Sequence, residues 1–360
     1  MTPCNYAPMN VKVSHRSPIP FGSDPLNRQL LAQPAGIVVA EISPHTPNQI
    51  HTHGVLQRGV QPHPIDANSR FPIASVTKPI TARVVDHIRR KHDLAWATPV
   101  ISLRPEFRLA DAIATRQMTL ADLLIHYSGL PSHTWAWVYA GCDRASFMRQ
   151  RLPHLTAIAP FRERVRYSNL TVALAGFLAE HLSGVSWEEH VTALAKEMNM
   201  PGLTHLDADW AKQPNMALPH RDGQTLPPFH AEAFHPIAPA SELAASITDL
   251  IAFARDALAH PSPTETPEAP VTAERPHSQL GPLSYLPGWR KETWRGEQHI
   301  WHSGSCTGYG ALISLWPKQH RAFVALCDED DSTDLLRTLV YRCFDEYANI
   351  PTADRFRWPE

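Results

Sequence analysis

Strand-forming segments stand near opposite ends of this 360-residue chain, and a long helical stretch separates them. Gly36 to Ile42 is a run rich in β-branched residues, and Gln49 to Leu56 follows as a candidate antiparallel partner. Near the other end the residue pattern predicts three more strands, at His299 to His302, Tyr309 to Trp316 and Arg321 to Cys327. Apolar strands need partners along their edges, so these segments predict one sheet built from both chain ends.

Helical periodicity fills the region between, from Ser75 to about His260. The predicted helices cover Val76 to Arg90, Thr119 to His126, Asn169 to Ser183, Trp187 to Met198, Ser246 to Ala259 and, after the last strand, Ser332 to Tyr347. The predicted fold class is therefore α/β of the α+β type, a mainly antiparallel sheet with flanking helices and an inserted helical region. We expect a single domain over residues 1–360, with the sheet from about 20–70 and 280–350 and the helices from 75–260.

Composition and charge bear on three properties: nucleic-acid binding, membrane insertion and location. The chain carries 33 Lys and Arg against 35 Asp and Glu, which leaves no electrostatic footprint for nucleic acid. Its apolar runs fall short of the roughly 18–20 residues of a membrane-spanning helix. The first sixteen residues lack the basic start and apolar centre of a secretory signal, so we expect a cytoplasmic protein.

Cysteine and proline usage adds two expectations. The five cysteines form no C-x-x-C pair and predict free thiols rather than disulfides or a zinc site: Cys4, Cys142, Cys306, Cys327 and Cys343. We accordingly predict no metal and no cofactor. Residues 260–280 are rich in Pro, Ser, Thr and Glu, which predicts a flexible loop.

Ser75 and Lys78 open the first long predicted helix, and their spacing is the first chemical signal. Side chains three apart at a helix start share one face within a turn of each other. A serine hydroxyl is a poor nucleophile until a neighbouring base takes its proton, and a desolvated lysine has a lowered pKa that suits this task. An S-x-x-K sequence also occurs in many helices without catalytic meaning, and that interpretation stays open here.

Two further segments carry weaker signals. Tyr167 precedes a predicted helix, and its phenol could shuttle protons if nearby cations lowered its pKa; an ordinary helix start capped by Ser168 or Asn169 is the alternative. Trp301 to Gly310 contains three glycines near two predicted strands. Glycine lets a strand approach a ligand closely, and a backbone N–H beside it can point at an oxyanion, although a glycine-rich hairpin is equally consistent.

Taken together, the three segments resemble the motifs of the serine β-lactamase and penicillin-binding protein superfamily. The likeness is to its class C β-lactamase-like branch, which includes esterases, DD-peptidases, D-amino-acid amidases and some acyltransferases. The resemblance spans about Leu26 to Tyr347. Further segments resemble those of the family: Pro34 to Val39 its first core strand, Leu123 to Pro131 its helix-to-loop signature, and Pro239 to Leu243 with Thr248 to Phe253 a later helix.

The resemblance implies a role for each matching residue. Ser75 would be the acylated nucleophile, Lys78 its partner, and Tyr167 the general acid/base that passes the Ser75 proton to the leaving group. The backbone N–H groups of Ser75 and Ser305 would form the oxyanion hole, and Asn169 would orient the substrate or Lys78. The expected fold is that of the β-lactamase and DD-peptidase family.

The expected substrate-binding residues come from three places. His302 stands where true β-lactamases and many DD-peptidases carry Lys, and Ser303 and Gly304 follow it. Because a free imidazole with a pKa of about 6.5 is only partly charged, we expect β-lactams and peptides ending in a carboxylate to be poor substrates; a structural hydrogen-bonding role behind Tyr167 is the alternative. Tyr127 lies within the helix-to-loop signature. Two tryptophans after it form either an apolar wall or core packing: Trp135 and Trp137.

Three functions follow, and the sequence cannot separate the first two. We expect a serine hydrolase of esterase or amidase type, in which water resolves the acyl-enzyme. The alternative is an acyltransferase or peptide cyclase of secondary metabolism, in which an amine or alcohol does so. Intact Ser75, Lys78 and Tyr167 argue against a silent binding relative. The expected partner is a small ester, amide or thioester, with a carrier-protein-tethered acyl group as an alternative donor, and no nucleic acid or membrane.

Overall fold

A computed structural model describes residues 24–44, 46–59, 63–132, 136–137, 141–260, 266–270 and 283–357. The α-helices among them are α1 (Pro25–Leu31), α2 (Thr77–Lys91), α3 (Val100–Leu103), α4 (Ala112–Gln117), α5 (Leu120–Leu124), α6 (Arg144–Gln150), α7 (Asn169–Ser183), α8 (Trp187–Glu197), α9 (Ala238–Ser241), α10 (Ile247–Ala259) and α11 (Thr333–Tyr347). The strands are β1 (Gly36–Ile42), β2 (Gln49–Gly54), β3 (Arg70–Pro72), β4 (Thr204–His205), β5 (His220–Arg221), β6 (Gln224–Thr225), β7 (Leu243–Ser246), β8 (Ala269–Pro270), β9 (Ser284–Leu286), β10 (Trp289–Trp294), β11 (Glu297–Cys306), β12 (Tyr309–Trp316) and β13 (Arg321–Cys327).

Strands from both ends of the chain form one antiparallel sheet. Its eight strands lie in the order β2-β1-β13-β12-β11-β10-β9-β8. The N-terminal β1 pairs with the C-terminal β13, from Ile37 opposite Cys327 to Ile42 opposite Ala322. The predicted fold class, with β2 beside β1 and helices inserted between the two groups of strands, is confirmed.

Both faces of the central strands are buried, which explains their unbroken apolar sequences. On β1, Val38, Ala40 and Ile42 belong to the large core shared with α2, α7 and α10. The alternate residues Ile37 and Val39 belong to a second core beneath α11. Successive side chains of a strand point to opposite faces, so a strand between two helical layers must be apolar at every position.

Helix α7 is the centre of the helical region, and ten of its fifteen residues are buried. Its Gly176 lets α9 approach closely, because a Cβ there would stand 2.6 Å from the side chain of Pro239. The Pro239 carbonyl accepts a 2.6 Å hydrogen bond from Thr81 Oγ1 on α2. Trp187 Nε1 donates to the same hydroxyl at 3.0 Å. These contacts hold α9 against the start of α2.

Three details differ from the sequence-based expectations. Strand β11 runs from Glu297 to Cys306, well beyond the predicted His302, and a Thr307-Gly308 turn follows it. Strand β10 was missed because Arg290, Lys291 and Glu292 occupy its middle. Most of the loop predicted at residues 260–280 lies outside the described residues, but 266–270 are described and contain the short strand β8. Four cysteines in the described residues are free thiols, as expected, and Cys4 lies outside them.

The close approach at Gly176 predicts a cost for adding one methyl group. Gly176→Ala should destabilise the protein by about 1–2 kcal/mol, because overpacking against Pro239 outweighs the better helix propensity of alanine. Chemical denaturation would measure the change. The matched control is His181→Ala on the exposed side of the same helix, where unfolding should be unchanged within about 0.5 kcal/mol. A stabilised Gly176→Ala variant would contradict the assigned packing of α7 on α9.

Candidate active site

Ser75 lies on a short 3₁₀ turn, Ala74–Val76, that leads directly into α2. Ala74 has a φ of +43°, an unusual backbone conformation for a residue with a side chain. Such strain, of the order of 1 kcal/mol, persists only where the surrounding structure imposes it, and it concentrates at functional sites. The turn therefore places Ser75 at the N-terminus of α2, with its side chain half-buried.

The three residues expected to act together do meet in space. Lys78 Nζ lies 2.8 Å from Ser75 Oγ and donates a 2.9 Å hydrogen bond to the Ala240 carbonyl on α9. The Tyr167 hydroxyl donates to the same Ser75 Oγ at 2.8 Å. Ser75 thus has a nitrogen and a phenol oxygen at proton-transfer distance on two sides.

Burial and charge set the protonation of the two partners of Ser75. Lys78 is fully buried, and this desolvation together with the nearby Arg290 guanidinium lowers its pKa well below the usual lysine value. Desolvation and the neighbouring Tyr285 raise the pKa of Tyr167, against the opposing effect of Arg290. The lowered pKa of Lys78 favours its neutral amine, which can accept a proton. The raised pKa of Tyr167 favours its neutral phenol, which can donate one.

Strand β11 lies directly against the Ser75 turn at Gly304. A Cβ at this position would overlap the Ile73 carbonyl oxygen and stand 3.0 Å from the Ser75 nitrogen, so only glycine fits without rearrangement. Ser305 follows on the same strand and is exposed. Pairing with β10 ends at Trp301, so beyond it β11 has β12 as its strand partner in the described sheet. This arrangement brings the Ser305 segment beside the amide of Ser75.

His302 does not have the partial charge that its sequence position suggested. It is fully buried, its Nδ1 lies 2.8 Å from the Ser303 carbonyl, and its ring centroid lies 6.4 Å from that of Tyr167. Burial, Arg290 and Lys78 all lower its pKa well below 6.5. His302 is therefore a neutral residue beside Tyr167, and its Nε2 has no hydrogen-bond partner among the described residues.

The remaining expected site residues divide into two groups. Asn169 and Ser303 are half-buried beside the catalytic elements, and Asn169 Oδ1 has no hydrogen-bond partner among the described residues. Tyr127, like Tyr167, is half-buried and packs against a small core that includes Tyr285. Trp137 is instead a core residue: its side chain is buried, its Nε1 donates to the Ser132 carbonyl at 3.2 Å and its ring contacts Phe234. Trp135 lies outside the described residues.

Arg290 is a site residue that the sequence analysis missed. Its guanidinium carbon lies 5.8 Å from the ring centroid of Tyr167, and its Nε donates a 2.8 Å hydrogen bond to the Tyr285 hydroxyl. No carboxylate lies within ion-pair distance of it among the described residues. The site therefore contains a permanent cation, which removes the reason for expecting carboxylate-bearing substrates to be poor. Arg290 belongs to no sequence motif, and the strand that carries it, β10, was not predicted.

Comparisons with known proteins agree with this fold. The Beta-lactamase family model matches residues 32–342. Unguisins hydrolase ungD' of Aspergillus campestris (strain IBT 28561) is 26% identical over 317 residues, which cover 82% of this chain and 59% of the relative. The octameric penicillin-binding protein homologue from Pyrococcus abyssi superposes with a TM-score of 0.77 at 18% identity, covering 92% of this chain and 78% of the other. A class C β-lactamase structure superposes with a TM-score of 0.71 at 17% identity, covering 89% of this chain and 95% of the other.

With most of its length matched by the family model, the chain belongs to the β-lactamase family, a family of serine hydrolases. The predicted resemblance to class C β-lactamases and penicillin-binding proteins is confirmed. The chain spans about three fifths of the length of the Aspergillus relatives that it matches. In the part of the chain that the structure describes, no helix is long and apolar enough to cross a bilayer, and no group of His, Cys, Asp and Glu could hold a metal ion.

The charge arrangement predicts a pH dependence for the reactivity of Ser75. Because neutral Lys78 is the form that can accept a proton, labelling by a fluorophosphonate should accelerate as the pH rises through the depressed lysine pKa. Arg290→Met removes a positive charge that lowers this pKa, so the rising limb should move to higher pH. Labelling rates from pH 5 to 10, followed by intact-protein mass spectrometry, would measure the shift.

Lys291→Met is the matched control for Arg290→Met. It removes a cation from the next position of the same strand, where the ammonium group contacts Glu268 rather than the Ser75 site. Its pH profile should coincide with that of the wild type. A rising limb that stays in place in Arg290→Met, or moves to lower pH, would contradict the influence assigned to Arg290.

Proposed function

We propose that the protein is a serine hydrolase that cleaves small amides or esters through an acyl-enzyme on Ser75. One observation carries the proposal: Ser75 Oγ lies 2.8 Å from both Lys78 Nζ and the Tyr167 hydroxyl. A nucleophile with a proton acceptor and a proton donor at this distance has the groups needed for acylation. The hydrolase named among the Aspergillus relatives favours water as the final acceptor.

Acylation would begin as Ser75 Oγ attacks the substrate carbonyl carbon and its proton passes to Lys78. The carbonyl oxygen becomes an oxyanion, and the backbone N–H groups of Ser75 and Ser305 would stabilise it. The bond to the leaving group then breaks as Tyr167 donates its proton to the departing nitrogen or oxygen. In the second half of the reaction water would lose a proton to the Tyr167 phenolate and attack the acyl carbon. The bond between that carbon and Ser75 Oγ then breaks, and Lys78 returns its proton to Ser75 Oγ, so all three side chains recover their starting forms.

Arg290 shapes the proposed substrate class. It is a permanent cation beside Tyr167 without an ion-pair partner among the described residues. A carboxylate on the substrate would pair with this guanidinium through charge-assisted hydrogen bonds. We therefore propose that acyl or leaving groups bearing a carboxylate are accepted, in place of the poor acceptance of carboxylate-bearing substrates that was expected from His302.

Intact-protein mass spectrometry tests the nucleophile and the acceptor together. The protein would be incubated with a fluorophosphonate, and separately with p-nitrophenyl esters, p-nitroanilides and acyl thioesters, with and without added amines. A covalent adduct should form in the wild type and in Ser183→Ala, a control in the last turn of α7. Ser75→Ala should lose it. Product formed only with amines would favour the acyltransferase or cyclase alternative, and the absence of any adduct would reject the proposed function.

A matched substrate pair tests the role of Arg290. The ratio of kcat/KM for p-nitrophenyl hemisuccinate to that for p-nitrophenyl butyrate cancels effects common to both, including a changed Lys78 pKa. In Arg290→Met this ratio should fall at least about tenfold, because a hydrogen bond to a charged group contributes about 1.5–3 kcal/mol. Lys291→Met should leave the ratio unchanged. An unaltered ratio in Arg290→Met would show that Arg290 does not bind the carboxylate.

A further inference from the structure

We propose that His126 is a positioning residue that clamps the backbone on both sides of Tyr167. The inference rests on the proposed function, in which the Tyr167 hydroxyl must stay within reach of Ser75 Oγ. It concerns a residue that contacts the ring of Tyr167 and the backbone beside it rather than the Ser75 hydroxyl. Its evidence is a set of backbone contacts that the catalytic motifs do not include.

The peptide segment that carries Tyr167 has little regular structure of its own. Residues 165–168 belong to neither helix nor strand, and α7 begins only at Asn169. Neither a helical ladder nor a sheet therefore fixes the position of the phenol. Its hydroxyl nevertheless reaches Ser75 Oγ at 2.8 Å. A displacement of about 1 Å at such a group can reduce a reaction rate by about a hundredfold, so the segment must be held by other contacts.

His126 supplies two of these contacts, one on each side of Tyr167. Its carbonyl oxygen accepts a 2.8 Å hydrogen bond from the backbone N–H of Arg166. Its Nδ1 accepts a 3.2 Å hydrogen bond from the backbone N–H of Ser168. The amide groups immediately before and after Tyr167 are thus bound to the same residue. Backbone and side chain of His126 together hold both neighbours of the phenol.

The backbone conformation of His126 makes this double contact possible. Its φ is +60°, in the left-handed region that residues other than Gly adopt rarely and that Asn, Asp and His adopt more readily than most. The side chain is fully buried, and its ring lies 4.5 Å from the Tyr167 ring and 4.8 Å from the Tyr285 ring, measured between centroids. A strained, buried residue in contact with the proposed acid/base indicates a positioning role.

The clamp also requires a neutral imidazole. Because Nδ1 accepts a hydrogen bond, the single ring proton resides on Nε2, which has no hydrogen-bond partner among the described residues. Protonation of Nδ1 would remove the acceptor for Ser168. Burial, Lys78 on α2 and Arg290 on β10 all lower the pKa of His126 well below 6.5. His302 on β11 is neutral for the same reasons, so the clamp stays closed at neutral pH.

Two substitutions separate the hydrogen-bond acceptor from the rest of the side chain. His126→Asn places an oxygen near the position of Nδ1 and tolerates positive φ, whereas His126→Gly tolerates positive φ without an acceptor. Both variants lose the imidazole ring, so their difference reports the bond to Ser168. His320→Gly is the matched control, since His320 also has positive φ, at +47°, but is exposed at the end of a 3₁₀ turn before β13.

Two readouts distinguish positioning from a general loss of structure. The rate of Ser75 labelling by a fluorophosphonate would be measured under conditions in which the melting temperature shows each variant to be folded. Hydrogen–deuterium exchange of the Arg166 and Ser168 amides would report the clamp directly. We expect His126→Gly to be labelled at least tenfold more slowly and to exchange the Ser168 amide faster, because only this amide loses its acceptor. His126→Asn should stay within about threefold of the wild type in labelling, as should His320→Gly.

Each other outcome overturns a specific claim. Equal labelling of wild type, His126→Asn and His126→Gly would show that the clamp is not needed. Equally slow labelling of both variants would assign the effect to the imidazole ring and overturn the acceptor role. Unchanged exchange of the Ser168 amide in His126→Gly would contradict the clamp itself. If the wild type is not labelled at all, the proposed function fails, and the exchange experiment still tests whether His126 holds this segment.

Discussion

The contact between Gly304 on β11 and the turn that carries Ser75 joins the sheet to the helical region. A side chain at residue 304 would collide with the Ile73 carbonyl, so the contact exists only because this position is glycine. Through this contact, the C-terminal part of β11 and the turn before α2 lie side by side. The oxyanion site proposed for the backbone N–H groups of Ser75 and Ser305 would depend on this approach.

Burial and one permanent cation, Arg290, determine the electrostatics of the site. Lys78 is surrounded by protein, and Arg290 stands near the ring of Tyr167. Burial, together with the positive charge of Arg290, lowers the pKa values of Lys78, His126 and His302. The result is a set of neutral side chains around Ser75, with Arg290 as a permanent charge.

Much of the fold follows from local sequence patterns. The bounds of α7, β12 and β13 agree residue for residue with the predictions, because their apolar residues are continuous and turn residues flank them. The extent of β11 and the existence of β10 did not follow from local sequence patterns. Arg290, Lys291 and Glu292 make β10 look like a polar loop, and only its pairing with β9 and β11 makes it a strand.

For the site, the sequence by itself determined the residue types and their order: a serine and a lysine three apart at a helix start, a tyrosine before another helix, and a glycine segment near two strands. These are local properties, readable from spacing. Only the tertiary structure decided that Tyr167 reaches Ser75, that Arg290 stands beside it, that Trp137 lies in the core and that His302 is uncharged. Burial and Coulomb interactions depend on groups far apart in the chain, and no local pattern encodes those distances.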